Sequence, residues 1–288
     1  MRFSEFNLYL KWREVLMKKY KLYDFHTHVY PQNIASKAVE ALNKFYDFTC
    51  ECGGTYYELE KTSAESGVSG FLMLGTATNA HQVEKVNDFI SDCVTESRNN
   101  GFESYGFAAM HQDFDDIEKE VERAGKTGLS GFKVHPDIQR VNIDDERLMR
   151  LYSACEGKLP VYLHVGDYRE EYRYSEIKRL DRIIERFPDL CIIAAHLGGW
   201  SAWEQADRFK GYENIYYDTS SSLKYMDAYK AEELIDKLGS ERIMFGTDYP
   251  CTTAKGDLER FMKLDLSEEV REDILYNNAI KFFKRYVK

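Results

Sequence analysis

Five of the seven histidines in this chain follow short apolar segments, at positions suited to metal binding. His26 and His28 end the first segment, and because they lie two residues apart on a predicted strand, both imidazoles point to one face. Two imidazoles on one face form a bidentate site for a metal ion. We expect His164 to add a third nitrogen and Asp248 a carboxylate oxygen, each from the end of a later segment.

Mixed nitrogen and oxygen ligation with an open position for water is typical of Zn²⁺, with Mn²⁺ or Fe²⁺ as alternatives. The sequence therefore predicts one divalent metal ion, which would lower the pKa of a bound water to roughly 7. Each residue alone has a simpler explanation, as a hydrogen-bonded histidine or as an aspartate that caps a turn. The metal site is favoured because several such residues end strands at the same edge.

Two other residues in this set leave alternatives open. His196 could be a further ligand, or it could stand back from the metal and polarise a substrate carbonyl or transfer a proton. Lys133 could be carboxylated and bridge a second metal, or it could form an ordinary salt bridge. His135 shares the face of Lys133.

Further polar residues follow the predicted strands, where side chains that line a barrel mouth are expected. Arg169 could pair with a substrate carboxylate or with its neighbours Glu170 and Glu171. The candidate substrate contacts are Tyr30, His111, Lys133, His135, Asp167, Arg169 and Asp218.

The apolar segments that position these residues number eight, and several lack polar alternation, as in parallel strands buried on both faces. The predicted strands are Leu22–His28, Val68–Thr76, Tyr105–Met110, Leu129–His135, Pro160–Val165, Leu190–His196, Ile215–Thr219 and Ile243–Asp248. Helical periodicity lies between them. The clearest predicted helices are His81–Ser97 after Asn79, Asp145–Glu156 capped by Asp144, and a segment from Ser175 to Phe187.

Strand–helix alternation repeated eight times predicts an α/β fold, a (β/α)₈ TIM barrel. We expect a single domain over residues 21–288 with an N-terminal helical extension over residues 1–20. An open doubly wound sheet is disfavoured because no glycine-rich turn follows the first strand. The irregular stretch Phe45–Tyr57 is predicted to be a loop over the barrel mouth, and its Cys50 and Cys52 alone cannot complete a metal site.

The composition narrows the classes of partner that the chain is expected to bind. Lysine and arginine total 39 and aspartate and glutamate 49, which gives a formal net charge of −10 and disfavours nucleic acid. No apolar run could span a bilayer and no secretory signal is evident, so we expect a cytoplasmic protein without membrane contact. The six scattered cysteines fit reduced thiols. A small-molecule substrate and a homodimer are expected.

Four motifs resemble the amidohydrolase superfamily: the first-strand His-x-His, the strand-five histidine, Ala-His-Leu-Gly-Gly of strand six and Phe-Gly-Thr-Asp-Tyr-Pro of strand eight. Gly131–Pro136 and Asp218–Ser222 resemble its amidohydrolase-related branch (amidohydrolase 2), which includes TIM-barrel metal-dependent hydrolases, aminocarboxymuconate semialdehyde decarboxylase and resorcylate decarboxylases. The resemblance extends over nearly the whole chain from about Leu22.

The resemblance implies that His26, His28, His164 and Asp248 bind a catalytic metal, usually zinc. It also implies that His196 is a catalytic acid or base. Lys133 matches the bridging lysine of the superfamily only by strand, and its flanking motif belongs to the branch in which a single metal is common.

Two reactions would use this set of residues. In the first, hydrolysis, the metal-bound water loses a proton to Asp248 and attacks an amide, ester or lactone carbonyl, and His196 or the metal stabilises the oxyanion. The alternative is non-oxidative decarboxylation of a small unsaturated or aromatic carboxylic acid, in which His196 or Asp248 protonates the carbon. A barrel that binds without turnover is disfavoured because both proton-transfer groups are present.

Overall fold

Eight short parallel strands pair side by side in the order in which they occur along the chain. They belong to a computed structural model that describes residues 19–287. The strands are β1 (Leu22–Thr27), β2 (Val68–Leu74), β3 (Tyr105–Ala109), β4 (Phe132–Val134), β5 (Val161–Leu163), β6 (Ile192–Ala194), β7 (Ile215–Asp218) and β8 (Ile243–Met244).

Backbone hydrogen bonds join the last strand to the first. The Phe25 N–H donates to the Phe245 carbonyl over 2.8 Å, and the Asp248 N–H donates to the His26 carbonyl over 2.8 Å. The sheet is thus closed by contacts just beyond β8, and the predicted TIM barrel is confirmed. Every predicted strand is present, but most end earlier than predicted, because the polar residues that follow them turn out of the sheet at the barrel mouth.

Helices surround the barrel between the strands. They are α1 (Ala35–Tyr46), α2 (Tyr56–Glu65), α3 (Val83–Asn99), α4 (Ile117–Lys126), α5 (Pro136–Gln139), α6 (Glu146–Cys155), α7 (Leu180–Arg186), α8 (Ala228–Leu238), α9 (Ala254–Phe261), α10 (Glu268–Glu272) and α11 (Asn278–Tyr286). A π-helical turn joins α10 to α11. The irregular stretch predicted over the mouth is shorter than expected, because helices occupy both of its ends and leave residues 47–55 between them.

Two predicted helix starts were wrong, the one capped by Asp144 and the one at Ser175. The cap of α6 is Asp145, whose side chain accepts from the Arg147 N–H, whereas Asp144 pairs with Arg179. The helix predicted after Asn79 begins there, with a short 3-10 turn (Ala80–Gln82) that leads into α3.

Ser175 does not open a helix either. Its hydroxyl donates to the Asp137 carboxylate, and α7 begins only at Leu180. Neighbouring residues often carry similar side-chain oxygens, so the residue that caps a helix depends on tertiary contacts as well as on local sequence.

The barrel interior is apolar at its lower end and polar toward the mouth. Tyr23, Phe25 and Phe107 fill the lower layers, and Phe282 and Phe283 of α11 close this end from below. Fully burying one such phenylalanine side chain contributes about 1.5–3 kcal/mol. The next layer toward the mouth includes Lys133, Tyr162 and Asp218, one from each of three strands, and all three are buried.

Strand β1 contains a register irregularity between Asp24 and Thr27 in its pairing with β2. Tyr23 and Phe25 point into the barrel, yet His26 and His28 also reach the interior cavity. Strict alternation would send these two sets of side chains to opposite faces. The irregularity re-aims the histidines, as β-bulges beside functional sites commonly do.

The predicted helical extension lies outside the described residues except for Lys19 and Tyr20. None of the helices in the described part of the chain is long and apolar enough to cross a membrane. All six cysteines are free, and five of them are buried.

Candidate metal centre

Three predicted ligands converge at the mouth of the barrel. The Nε2 atoms of His26 and His28 lie 3.2 Å apart. Asp248 Oδ1 lies 3.4 Å from the first of these nitrogens and 3.7 Å from the second. The three atoms therefore form a compact triangle contributed by the ends of β1 and β8.

The dimensions of this triangle fit a divalent ion. Ligand bonds of about 2.0–2.2 Å place neighbouring ligand atoms about 3.0–3.5 Å apart, in either tetrahedral or octahedral geometry. The observed edges of 3.2, 3.4 and 3.7 Å match this range or exceed it slightly. Nitrogen and carboxylate oxygen donors suit zinc, manganese and iron alike, so the site accepts a divalent ion without selecting one.

The other nitrogen of each ligand histidine is held by a hydrogen bond. His28 Nδ1 lies 3.0 Å from the Leu74 carbonyl, which can only accept, so Nδ1 carries the proton and Nε2 presents its lone pair. His26 Nδ1 lies 2.8 Å from Ser220 Oγ and 3.4 Å from Asp218 Oδ2. Such outer contacts fix the orientation and tautomer of metal-binding histidines.

Burial sets the charge of the site. It lowers the pKa of His28 to about 3 and that of His196 to about 4, because a buried imidazolium loses its hydration. The pKa of His26 is also lowered well below its ordinary value, mainly by burial. Near neutral pH these imidazoles are uncharged, which is the state that binds metal. Burial also raises the pKa of Asp248 to about 7.

His164 and His196 lie beside the triangle and face each other. His196 Nε2 is 3.0 Å from His164 Nδ1, and the His196 and His26 rings stack with centroids 5.1 Å apart. His164 Nε2 points the other way, to a position 3.6 Å from Asp137 Oδ2. His164 thus groups with His135 and Asp137 rather than with the compact triangle.

Asp218 lies beneath the site and contacts both His26, in the metal-binding triangle, and the backbone of His196. Its Oδ2 accepts from the Tyr162 hydroxyl over 2.6 Å and from the backbone N–H of His196 over 3.3 Å. Its Oδ1 accepts from the Ser220 N–H over 2.7 Å. This fully buried carboxylate is therefore a positioning group beneath the imidazoles, which differs from the substrate contact that the sequence suggested for Asp218.

Asp248 and His196 both adopt left-handed backbone conformations, with φ of 64° and 61°. This conformation is uncommon for residues other than glycine and costs about 1–3 kcal/mol, so tertiary contacts must maintain it. The Ser221 hydroxyl donates to Asp248 Oδ2 over 2.7 Å, which leaves Oδ1 facing the histidine nitrogens.

A small cavity of about 30 Å³ adjoins the triangle. Its floor is polar, and its roof includes Leu42 and Tyr46 of α1 and Ile138 of α5. Helix α1 thus supplies part of the cover over the mouth. The cavity has room for one or two water molecules in this conformation, so a substrate requires the roof to open.

The predicted substrate contacts divide into two groups. Tyr30, Lys133 and His135 line the cavity. His111 does not line it, and its Nδ1 accepts from the Asp113 N–H.

Asp167 and Arg169 do not line the cavity either. Their side chains pair with each other over 2.7 Å. The Arg169 guanidinium also donates to the Phe45 carbonyl and lies over the Phe45 ring. The alternative pairing of Arg169 with Glu170 or Glu171 was therefore wrong. Arg169 instead fastens the end of α1 to the loop after β5.

Several residues around the site escaped the sequence analysis. Tyr162 lies two residues before His164 on β5, so alternation could have placed it on the inner face. The Tyr46 hydroxyl is hydrogen-bonded to His135 Nε2 over 2.7 Å. The Asp137 carboxylate lies 3.6 Å from His164 Nε2. Neither contact leaves a local signal, because each joins segments far apart in the chain.

The sequence matches a known family model, described as amidohydrolase, over residues 23–285. Among curated proteins, the decarboxylase orsB of Emericella nidulans is 30% identical over 128 residues, which are 37% of this chain and 38% of that protein. The chain thus aligns with well under half of this relative.

Two solved structures show the same fold. An uncharacterised TIM-barrel protein from Bordetella bronchiseptica superposes with a TM-score of 0.73 and 19% identity, covering 92% of this chain and 99% of the other. A dihydroxybenzoic acid decarboxylase from Polaromonas, with bound manganese and the inhibitor 2-nitroresorcinol, gives a TM-score of 0.69 and 17% identity, with 92% and 97% covered.

Proposed function

We propose that this chain, which belongs to the amidohydrolase family, is a metal-dependent, non-oxidative decarboxylase of small aromatic or unsaturated carboxylic acids. The observation that carries the proposal is the convergence of His26 Nε2, His28 Nε2 and Asp248 Oδ1 beside His196 in a covered cavity. The names of the relatives support decarboxylation over hydrolysis, which was the first expectation from the sequence.

His26, His28 and Asp248 would hold the ion, and His164 stays a further ligand implied by the family resemblance alone. A bound divalent ion supplies a Lewis acid that polarises an oxygen of the substrate. The protein supplies the orientation. Asp218 and Ser220 fix His26, and the Leu74 carbonyl fixes His28, so the ligand atoms are preorganised.

The reaction needs one proton and no oxidant. The bond between the ring carbon and the carboxylate breaks, carbon dioxide leaves, and the electron pair stays on the carbon. A proton then forms the new C–H bond. Asp248 is one candidate donor, but as a ligand it must give up its own proton to hold the ion, so it could deliver a proton only after taking one from another group.

His196 is the second candidate donor. Its Nδ1 lies 3.0 Å from the Ser220 carbonyl and donates to it, which leaves Nε2 facing His164 Nδ1. These two facing nitrogens share one proton, so His164 and His196 form a proton relay next to Asp248. The relay is largely shielded from bulk water, because His164 and His196 are both buried and Leu42, Tyr46 and Ile138 line the cavity beside them. Exclusion of water favours protonation of carbon by the protein over attack by water.

The proposal is tested with protein loaded with Mn²⁺ or Zn²⁺. It is incubated with dihydroxybenzoates and carboxyvanillates in one series, and with lactones and amides in another. We expect metal-dependent release of carbon dioxide in the first series and incorporation of one solvent deuterium in the product formed in D₂O. Hydrolysis of a lactone or amide, with solvent oxygen in the product and without carbon dioxide release, would overturn the proposal in favour of a hydrolase.

A further inference from the structure

Lys133 is the one cationic side chain among the described residues that line the cavity. Only 1% of its surface is exposed, and its ammonium group lies 4.5 Å from the centroid of the Tyr162 ring. No ion pair joins Nζ to a carboxylate within the described part of the chain. A buried ammonium group that lies over an aromatic ring and forms no salt bridge is costly, so its retention here needs a reason.

The negative charges that act on Lys133 belong to Asp248 and Asp218. Neither carboxylate forms a salt bridge with the ammonium group, because Asp248 faces the nitrogens of His26 and His28 and Asp218 accepts a hydrogen bond from Tyr162. The Lys133 ammonium group therefore lacks a direct anionic contact, and an anionic ligand in the cavity would supply one.

The shape of the cavity indicates how such an anion is oriented. Lys133 projects from β4 in the same interior layer as Tyr162, which is below the metal-binding triangle. The roof is formed by Leu42, Tyr46 and Ile138, which offer apolar and aromatic surface. The cavity therefore has a cationic floor and an apolar roof, a polarity that suits a compact acid with its charge at one end.

We infer that Lys133 binds the carboxylate of the substrate, while the apolar roof covers the rest of the molecule. The inference rests on the proposed decarboxylase function. Lys133 acts in binding, because the charge that it pairs with disappears as the carboxylate becomes neutral carbon dioxide. An interaction that weakens toward the transition state lowers KM and does not raise kcat.

The binding test uses salicylate and phenol as probes, which differ by the carboxylate, with Mn²⁺-loaded protein in a calorimeter. We expect salicylate to bind the wild type about tenfold or more tightly than phenol, and this preference to vanish in Lys133→Met while phenol affinity is unchanged. Lys61→Met, which removes an exposed lysine, should keep the preference. Absence of saturable salicylate binding to the wild type, or an undiminished preference in Lys133→Met, would contradict the inference.

Kinetics give a second readout on any carboxylic acid that the wild type decarboxylates. We expect Lys133→Met to raise KM about tenfold or more without lowering kcat, because the interaction that it removes is weaker in the transition state. A fall in kcat at unchanged KM would show that Lys133 acts in the chemical step, and the inference would fail. If Lys133→Met does not fold, as judged by circular dichroism, Lys133→Gln is tested in its place.

Mass spectrometry and metal analysis separate a third outcome. A lysine that carries one additional carbon dioxide, together with two metal ions per chain, would make Lys133 a bridging ligand and overturn the inference. If salicylate preference depends on Lys133 but no acid is decarboxylated, the proposed function fails while the carboxylate site stands. If decarboxylation occurs and Lys133→Met behaves as the wild type, only the carboxylate site fails.

Discussion

The Nε2 atoms of His26 and His28 lie 3.2 Å apart inside the barrel, on a strand whose neighbouring residue Phe25 also points inward. Phe25 and the two histidines can all point inward only because the pairing of β1 with β2 shifts register between Asp24 and Thr27. The Asp24 carboxylate stabilises this segment by accepting from the His26 N–H over 3.2 Å and from the Thr247 N–H over 3.0 Å. The metal-binding pair therefore depends on an irregularity that the segment after β8 helps to hold.

Removal of one imidazole from the triangle should weaken metal binding strongly. In His28→Gln the remaining donors are His26 and Asp248, and we expect metal affinity to fall by more than about 100-fold, beyond the loss typical of an outer contact. Inductively coupled plasma mass spectrometry after dialysis measures the metal retained. His81→Gln removes an exposed histidine and should retain metal as the wild type does. Full metal occupancy in His28→Gln would exclude this triangle as the site.

Asp218→Asn should impair the site without removing a ligand. The carboxylate accepts from the Tyr162 hydroxyl and from the backbone N–H of His196 and lies 3.4 Å from His26 Nδ1, so its loss frees the His26 imidazole and the backbone that carries His196. We expect metal affinity or turnover to fall about 10- to 100-fold. Titration with a competing chelator measures the affinity. Asp236→Asn, an exposed position, is the control, and equal affinities in the two variants would argue against a positioning role.

Metal affinity should fall as the pH is lowered over a defined range. Burial raises the pKa of Asp248 to about 7, so in the metal-free protein this carboxyl group is protonated below that pH and must lose its proton to bind the ion. His28 and His196 titrate lower, at about 3 and about 4, and do not compete in this range.

We therefore expect apparent affinity to fall about tenfold for each pH unit between about pH 7 and about pH 5, with about one proton released per ion. Calorimetry in buffers of different ionisation enthalpy counts the protons. An affinity that is independent of pH over this range would show that Asp248 is already ionised in the metal-free protein.

Gly166→Ala should destabilise the loops that hold the facing histidines. Gly166 has φ of +86°, and a Cβ there would lie 2.7 Å from backbone atoms of Gly199 and Trp200, which follow β6. Backbone strain and overpacking together should reduce the free energy of unfolding by about 2–5 kcal/mol.

Gly157→Ala is the matched control, because Gly157 has φ of +66° and nothing lies within 4 Å of its added Cβ. Its loss should be about 1–2 kcal/mol, from the backbone alone. Urea denaturation followed by tryptophan fluorescence measures both variants. Equal losses would mean that the close approach between the two loops adds nothing.

Much of the fold could be predicted from the sequence because the patterns that indicate strands and helices are local. Continuous apolar segments predicted all eight strands, and strand–helix alternation predicted the barrel. The types of residue at the strand ends also predicted which side chains would gather at the mouth. His26, His28 and Asp248 meet as expected, because every parallel strand in a barrel ends at the same face.

Tertiary structure alone decided which side chains face the cavity. Alternation showed that His26 and His28 share a face, but the register shift in β1 determined that this face is the inner one. Asp218 lay among the candidate substrate contacts, and its depth in the barrel makes it a support for His26 and His196 instead. Arg169 is bound by Asp167 and the end of α1. Each of these outcomes depends on contacts between segments distant in the chain, whose side chains leave no periodic trace in the sequence.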